Sequence, residues 1–248
     1  MEPGDLTDAE LARAIATRAG EALLALRRDG ELTGRALGDE GDRAANAVIC
    51  SALAEARPDD AILSEERTDE GTRLTRERVW IVDPLDGTRE YSEDRDDWAV
   101  HIGLAINGRA SIGAVALPAR GLILSSDTPL PLPAPSQPPR MVVSRTRPPR
   151  EAVAVAERLG AVSVPMGSAG AKAMAVVLGE AEIYLHAGGQ YEWDNCAPAA
   201  VAAAAGLHVS RIDGSPLVYN RPDVSLPDLL ICRRELAEPT LRIIASLC

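Results

Sequence analysis

The sequence predicts a mixed α/β protein whose two halves differ in how helices and strands follow one another. The first half reads as two helices and then a run of strands, whereas the second half alternates strands with helices. Between them, residues 128–139 (TPLPLPAPSQPP) contain six prolines, which exclude regular helix or sheet. We therefore expect an α+β unit over residues 1–127, a proline-rich linker over 128–139 and an α/β unit over 140–248.

Two helices are predicted at the start of the chain. A capping box at residues 7–10 (TDAE) begins the first helix, which continues with apolar residues at helical spacing. The second helix has its apolar face over residues 45–56, and Pro58 follows as its stop. Residues 29–38 are rich in Gly and charge, so Asp42 is placed at or near the start of this helix, where capping is its ordinary role.

Strands fill the rest of the first half. Residues 61–64 (AILS) and the apolar run that leads to Asp83 (VWIV) read as strands. Asn107-Gly108, a dipeptide typical of tight hairpins, joins two further strands, and residues 122–124 add another antiparallel one. His101 lies within one of these strands, where a packing or cross-strand role is more common than metal ligation.

The second half alternates strands and helices. The predicted strands cover residues 141–143, 162–164, 183–185 and 229–232, and the predicted helices cover 150–159, 171–178 and 194–205. This order is typical of a sheet with helices packed against it. Trp193-Asp194 opens the last of these helices, where capping is the ordinary role of an Asp.

The stretch 79–91 (VWIVDPLDGTREY) carries the strongest sign of chemistry. Its buried strand would deliver Asp83 to a site, Pro84 would end the strand, and Asp86 follows three positions after Asp83. Gly87-Thr88 then offers backbone N–H groups suited to an anion. Two carboxylates beside such amides are typical of a metal-assisted phosphate site, while a plain surface turn is the alternative for the acids alone. The spacing of an EF-hand calcium loop is absent.

The composition argues against several classes of function. A net charge of −11 is wrong for a nucleic-acid-binding surface, which needs clustered Lys and Arg. No uninterrupted apolar run approaches the roughly 20 residues that span a bilayer, so no membrane partner is expected. The four cysteines show no Cys-x-x-Cys pairing. We expect reduced core thiols in a cytoplasmic protein rather than disulfides or zinc ligands.

Three sequence elements carry a resemblance to a known family. Asp83 to Thr88 matches the signature D-P-[IL]-D-G-T, Ser64-Glu65-Glu66 corresponds to a G-E-E element, and Trp193-Asp194 with its alanine-rich helix matches a W-D element. In this order they resemble the lithium-sensitive, magnesium-dependent phosphatase superfamily that includes inositol monophosphatase. The resemblance spans nearly the whole chain. It implies a layered α/β/α/β/α sandwich of the sugar phosphatase type, with the acids between the halves.

Within that superfamily, the chain looks most like bacterial 3′(2′),5′-bisphosphate nucleotidases of sulfate assimilation. Arg89-Glu90-Tyr91 resembles the extension D-G-T-[KR]-[ED]-[FY] of that branch, and Glu192 and residues 214–219 (GSPLVY) are similar to it as well. Two positions depart from the family patterns. The G-S-S-L-K of the branch appears as residues 167–172 (GSAGAK), and His186 lies near where inositol phosphatases place a hydroxyl-binding Glu.

The resemblance implies the role of each site residue. Two or three Mg²⁺ ions would be held by hard oxygen donors, namely Glu65, Asp83, Asp86, Asp194 and the Leu85 carbonyl. Asp42 and Thr88 resemble the pair that orients the attacking water. The residues implied to contact substrate are Gly87, Thr88, Arg89, Gly167, Ser168, Lys172 and His186. An ordinary exposed helix lysine is the alternative for Lys172.

The resemblance implies a phosphomonoesterase that converts a small phosphorylated nucleotide, adenosine 3′,5′-bisphosphate, to AMP and phosphate, and that also accepts 3′-phosphoadenosine 5′-phosphosulfate. A phosphatase for inositol 1-phosphate or fructose 1,6-bisphosphate, or one enzyme with several such activities, is the alternative. A hypothesis from outside the enzymes is a catalytically silent, metal-binding regulator. The presence of every acid that the resemblance implies argues against it. The oligomeric state is open, a homodimer included.

Overall fold

A computed structural model describes residues 6–247; residues 1–5 and Cys248, one of the four predicted core thiols, lie outside the described part. Its helices are α1 (Asp8–Asp29), α2 (Gly34–Ala56), α3 (Thr88–Ser92), α4 (Arg150–Leu159), α5 (Ala169–Val177), α6 (Glu192–Ala204) and α7 (Arg234–Ala245). Its strands are β1 (Ala61–Ser64), β2 (Arg78–Asp86), β3 (Ala99–Ile106), β4 (Arg109–Leu117), β5 (Leu122–Ser125), β6 (Arg140–Ser144), β7 (Val162–Met166), β8 (Ile183–Ala187), β9 (His208–Ser210) and β10 (Asp228–Cys232).

The first sheet has the strand order β1-β2-β3-β4-β5. Strand β1 runs parallel to β2, and every later neighbour is antiparallel. The hairpin between β3 and β4 turns at Asn107 and Gly108, both with positive φ, as the dipeptide predicts. Helices α1 and α2 cover one face of this sheet, where their aliphatic side chains pack on Trp80 and Trp98.

The second sheet has the order β7-β6-β8-β10-β9, with parallel pairs around β6 and antiparallel pairs around β10. Helices α5 and α6 lie between the two sheets, and α4 and α7 cover the outer face of the second sheet. The molecule therefore has five layers in the order α/β/α/β/α, which confirms the predicted architecture. Of the helices within residues 6–247, none has the length and apolar character needed to cross a bilayer.

Helix α6 approaches the first sheet unusually closely because two facing strand positions are glycine. A Cβ at Gly113 would lie 2.4 Å from the carbonyl oxygen of Ala197, and one at Gly103 would lie 2.9 Å from the amide nitrogen of Ala197. No side chain fits in that space. This contact fixes the height of α6 over β3 and β4, and with it the position of Asp194 near the end of β2.

Several boundaries differ from the prediction. Helix α2 begins at Gly34, so Asp42 lies inside the helix and the capping role expected for it is wrong. Strand β2 continues through Pro84 to Asp86, and the prediction that Pro84 ends it is also wrong. Helix α6 begins at Glu192, two residues earlier than expected. Strand β9 and helix α7, which contains Pro239, were not predicted.

The proline-rich linker forms no helix or strand, as its composition predicts. The buried carboxylate of Glu182 holds its C-terminal part by accepting hydrogen bonds from the amides of Ser136 (3.0 Å) and Arg140 (2.7 Å). The division of the chain into two units at this linker stays a prediction.

Candidate functional site

Three acids from separate elements meet between the sheets. Asp83 and Asp86 come from the end of β2 and Asp194 from the first turn of α6, and one carboxylate oxygen of each lies within 4.8 Å of the other two. Residues three apart on a regular strand point to opposite faces, but the pairing of β2 with β3 shifts register between Asp83 and Asp86. The irregularity at Pro84 therefore brings both side chains into one cluster, which could hold a divalent ion.

Asp83 lies deepest in this cluster. It is almost fully buried, and one of its oxygens accepts a hydrogen bond from the Leu85 amide (3.1 Å). Burial raises the pKa of Asp83 well above its ordinary range, and the neighbouring charges of Glu65 and Asp86 raise it further. A buried carboxylate surrounded by other carboxylates requires either protons or a cation.

Asp86 is held by the start of α5. Its carboxylate accepts hydrogen bonds from the amides of Ala169 (3.1 Å) and Gly170 (2.6 Å) and from the hydroxyl of Ser168. The imidazole Nε2 of His101 lies 3.2 Å from it on the other side. Burial raises the pKa of Asp86, but the contacts from His101 and Ser168 outweigh burial and hold this pKa well below its usual range. This carboxylate stays ionised.

His101 has the buried, cross-strand position expected from the sequence, and it is also a site residue, which the sequence analysis did not predict. It is fully buried on β3, opposite Asp83 in the strand register, and its Nδ1 lies 3.0 Å from the Trp193 carbonyl oxygen. Burial lowers its pKa, but the contact with Asp86 outweighs burial and the net shift is upward. His101 therefore connects Asp86 to the segment that carries Asp194. The cross-strand position opposite Asp83 was the signal that could have identified it.

Asp194 occupies the third position of α6 and does not precede the helix as a capping residue would. Its Oδ2 accepts a hydrogen bond from the Tyr191 amide (2.6 Å), which closes the first turn, and one of its carboxylate oxygens lies in the cluster with Asp83 and Asp86. Burial and then the charge of Asp86 raise its pKa to about 7. One side chain thus both orders the helix start and completes the acid cluster.

Asp42 faces this cluster from α2. Its Oδ2 accepts a hydrogen bond from the hydroxyl of Thr88 (3.3 Å), which also lies 3.1 Å from the Leu85 carbonyl oxygen. Its Oδ1 is buried and finds no hydrogen-bond partner within residues 6–247. Burial, and then the charges of Glu66 and Glu65, raise the pKa of Asp42 to about 7. The orphaned oxygen marks a place that a water or a cation would fill.

A glycine in α2 makes this contact between helices fit. A Cβ at Gly38, one turn before Asp42, would lie 2.6 Å from Cγ2 of Thr88. Gly87 caps α3 with φ 91°, a conformation that favours glycine. These two glycines set the distance between Asp42 and Thr88.

Glu65 follows β1 at the rim of the cluster and is not among the three acids that converge most tightly. Much of the residue is exposed, yet its carboxylate is close enough to Asp83 for a side-chain hydrogen bond. Desolvation of its carboxylate, and then the charges of Asp86 and Glu66, raise its pKa. Its assignment as a metal ligand stays a prediction.

All seven residues predicted to contact substrate line one cleft of about 370 Å³ beside the acid cluster: Gly87, Thr88, Arg89, Gly167, Ser168, Lys172 and His186. Asp86 and Asp194 form part of its wall. The cleft therefore lies next to both the acids and the segment 167–172, which departs from the family pattern. The individual substrate contacts stay predictions.

Lys172 is buried, so the exposed-lysine alternative is wrong. Only 6% of the residue is accessible, and its ammonium group donates to the carbonyl oxygens of Gly167 (3.0 Å) and Ser168. Burial lowers its pKa. Because Ser168 has a positive φ of 45° and contacts Asp86, Lys172 stabilises the strained turn that orients this acid.

The cleft also contains basic residues that no motif identified. Arg145 and Arg147 follow β6 and line the cleft wall with Arg89. Arg145 donates to the carboxylates of Glu90 and Glu93, both at 2.7 Å, whereas Arg147 is exposed. Glu90 and Arg145 are far apart in sequence, so only the fold brings them together.

The raised pKa values predict how stability depends on pH and on cations. Asp42 and Asp194 have pKa values of about 7 in the folded protein against an ordinary 3.8, so the folded state binds protons that the unfolded chain has released. The contribution of these two residues to the free energy of unfolding is present at low pH and is lost as pH rises through about 7. We expect Mg²⁺ to raise the thermal midpoint more at pH 7.5 than at pH 5.5, as measured by differential scanning fluorimetry. Equal shifts at both pH values would argue against a cation site built from these carboxylates.

Comparison with protein families gives one match over almost the whole chain. Residues 6–246 match the model of the inositol monophosphatase family. The match includes the three acids, Asp42 and the basic side of the cleft.

Relatives of known name cover most of this chain. A Mycobacterium leprae protein named 3′-phosphoadenosine 5′-phosphate phosphatase is 51% identical over an alignment of 255 positions, which covers 97% of this chain and 94% of the relative. The 3′(2′),5′-bisphosphate nucleotidase CysQ of Shigella flexneri is 33% identical over 190 residues, covering 72% of this chain and 77% of its own. Among solved structures, CysQ from Bacteroides thetaiotaomicron superposes with a TM-score of 0.77 at 25% identity, over 92% of this chain and 97% of that one.

Proposed function

Because the chain belongs to the inositol monophosphatase family, we propose that it is a magnesium-dependent phosphatase that converts adenosine 3′,5′-bisphosphate to AMP and phosphate. The observation that carries the proposal is a cleft lined by both acidic and basic side chains. Asp86 and Asp194 line it, and so do Arg89, Arg145 and Arg147. A substrate with two phosphates fits such a lining, with one phosphate bound by metal ions and the other by guanidinium groups. The names of the nucleotidase relatives support the same substrate.

The residues of the acid cluster fit magnesium. All the donors are oxygens, and three of them belong to carboxylates that converge within 4.8 Å. We assign the ions to Asp83, Asp86 and Asp194, joined by Glu65 and by the Leu85 carbonyl. When bound, Mg²⁺ supplies positive charge for the phosphate and for the leaving oxygen, and it lowers the pKa of a bound water.

Asp42 and Thr88 orient the attacking water in this proposal. The Thr88 hydroxyl lies 3.3 Å from Oδ2 of Asp42 and 3.1 Å from the Leu85 carbonyl oxygen, and its single proton is donated to one of these acceptors at a time. The free Oδ1 of Asp42 accepts the proton that the water loses. The amides of Gly87 and Thr88 bind the phosphate oxygens, as the resemblance implies.

The arginines that line the cleft provide selectivity. Guanidinium groups bind phosphate through paired N–H donors, and Arg147 has no ion pair within residues 6–247 that would compete. We assign the 5′-phosphate to Arg147 and Arg89, and the ribose to the part of the cleft near Ser168 and His186. The same geometry accepts 3′-phosphoadenosine 5′-phosphosulfate, whose 5′ group is also anionic. We place the reaction in sulfate assimilation in the cytoplasm.

A substrate panel tests the proposal. We expect adenosine 3′,5′-bisphosphate to have a kcat/KM about 10- to 100-fold above that of adenosine 3′-monophosphate, because a hydrogen bond to a charged group contributes about 1.5–3 kcal/mol. Inositol 1-phosphate and fructose 1,6-bisphosphate complete the panel, each with Mg²⁺ and with excess chelator. Equal or better kcat/KM on inositol 1-phosphate would overturn the nucleotide assignment while leaving the family intact.

A further inference from the structure

The acid cluster draws on parts of the chain that are far apart in sequence. Glu65 begins the loop between β1 and a short 3₁₀ turn at Thr72–Thr75, whereas Asp194 lies in the first turn of α6. Metal ligands must be held to within about 0.5 Å of the productive geometry by the residues behind them. Something therefore has to fix the Glu65 loop relative to the start of α6.

A buried arginine anchors the far end of the Glu65 loop. Arg73 lies in the 3₁₀ turn and is only 2% exposed. Its guanidinium group donates to Asp69 of the same loop (2.9 Å), to the side-chain oxygen of Asn220 (2.8 Å) and to the carbonyl oxygen of Arg221 (2.9 Å). Its own carbonyl oxygen accepts a hydrogen bond from the side-chain amide of Asn220 (3.1 Å). Arg73 and Asn220 are thus bound reciprocally.

A buried glutamate anchors the same segment to α6. Glu192 is the first residue of α6, two before Asp194, and is 1% exposed. Its carboxylate accepts hydrogen bonds from the amides of Asn220 (2.7 Å) and Arg221 (2.9 Å). Asn220 has a positive φ of 57°. In this conformation its backbone amide bonds to Glu192 while its side chain bonds to Arg73. Charge-assisted hydrogen bonds of this kind are about twice as strong as neutral ones.

We propose that Arg73, Asn220 and Glu192 form a positioning strap that holds the Glu65 loop and the start of α6 at the spacing the metal ions require. The strap touches neither substrate nor the acid cluster, so it acts through Glu65 and Asp194. It rests on the proposed magnesium-dependent reaction. Loss of residues that orient metal ligands typically lowers metal affinity or activity by about 10- to 100-fold.

The chain offers a matched pair of variants for the test. Glu192→Gln and Glu182→Gln each remove the charge of a buried carboxylate that accepts two backbone N–H groups, but Glu182 holds the proline-rich linker instead of the metal site. We expect both variants to lower the thermal midpoint of the protein without metal. Only Glu192→Gln is expected to raise the Mg²⁺ concentration for half-maximal activity, by about tenfold or more, with kcat at saturating Mg²⁺ close to wild type.

A second variant removes the side-chain half of the strap. Asn220→Gly keeps the positive φ and the amide bonded to Glu192, and it deletes both side-chain hydrogen bonds to Arg73. We expect it to raise the Mg²⁺ requirement in the same way. The second readout is the Mg²⁺ concentration that gives half of the rise in thermal midpoint, which requires no turnover.

The outcomes separate the strap from the proposed function. If the wild-type protein shows no Mg²⁺-dependent phosphate release, the proposed function fails, and the thermal titration still reports on the strap. If the wild type depends on Mg²⁺ but Glu192→Gln and Asn220→Gly match Glu182→Gln in Mg²⁺ requirement by both readouts, the strap only stabilises the fold and the inference is wrong.

Discussion

Asp83→Asn is expected to lower kcat/KM by roughly 10³-fold while leaving the metal-free protein at least as stable as the wild type. The metal site contributes several kcal/mol of transition-state stabilisation, and each 1.36 kcal/mol is a factor of ten in rate. Asp83 is nearly fully buried beside other acids, so removing its charge relieves repulsion in the absence of a cation. Asparagine keeps an oxygen that can accept from the Leu85 amide.

Two measurements on the same sample test the expected loss of activity together with the retained stability of Asp83→Asn. Phosphate release gives kcat/KM, and the thermal midpoint is recorded with and without Mg²⁺. We expect the Mg²⁺-induced rise in midpoint to shrink sharply in Asp83→Asn. A variant that is inactive only because it unfolds would show a lowered midpoint without metal, and normal activity would remove Asp83 from the metal site.

Asp42→Asn is expected to lower kcat by about 10²–10⁴-fold with little change in Mg²⁺ requirement, because positioned proton transfer has this typical magnitude. Asp42 contacts the Thr88 hydroxyl and leaves one oxygen buried without a partner among the described residues. Asparagine preserves the shape but cannot take a proton from water. Its position inside α2, rather than at the helix start, removes helix capping as a competing explanation.

Thr88→Val provides the matched comparison for Asp42→Asn. It removes the hydroxyl that both Asp42 and the Leu85 carbonyl contact and keeps a side chain of similar volume. We expect the double variant to lose little more activity than either single one, since residues that act as a unit are not additive. Near-normal turnover in Asp42→Asn with a lowered thermal midpoint would return Asp42 to a structural role.

Asp83 and Asp86 could be predicted as site residues from the sequence itself because they follow the apolar run of a buried strand, whereas the roles of Glu65, Asp42 and Asp194 followed only from the family resemblance. The apolar run before Asp83 indicates a buried strand, and the alanine-rich helix after Asp194 indicates an inner helix. Their convergence could not be derived from periodicity. The convergence depends on the register shift around Pro84, where the pairing of β2 with β3 requires no N–H donor from proline. It also depends on Gly103 and Gly113, which allow α6 to approach the sheet closely.

Glycines also explain the error at the start of α2. Residues 34–44 contain Gly34, Gly38 and Gly41 and few apolar side chains, so the local pattern favours a loop. In the fold, a Cβ at Gly41 would lie 3.0 Å from the Tyr91 ring, and Gly38 makes room for Thr88. Packing against α3 therefore outweighs low helix propensity. The basic side of the cleft was missed for a related reason, since Arg145 meets Glu90 only through the tertiary fold.

The most direct test of the account is mass spectrometry of the products formed from adenosine 3′,5′-bisphosphate with Mg²⁺ in ¹⁸O-labelled water. Attack of an oriented water on phosphorus predicts adenosine 5′-monophosphate without label and inorganic phosphate that carries one ¹⁸O from solvent. This result requires both the proposed choice of the 3′-phosphate and cleavage of its P–O bond by attack at phosphorus. Adenosine 3′-monophosphate as product, label in the nucleoside, or no release of phosphate would contradict it.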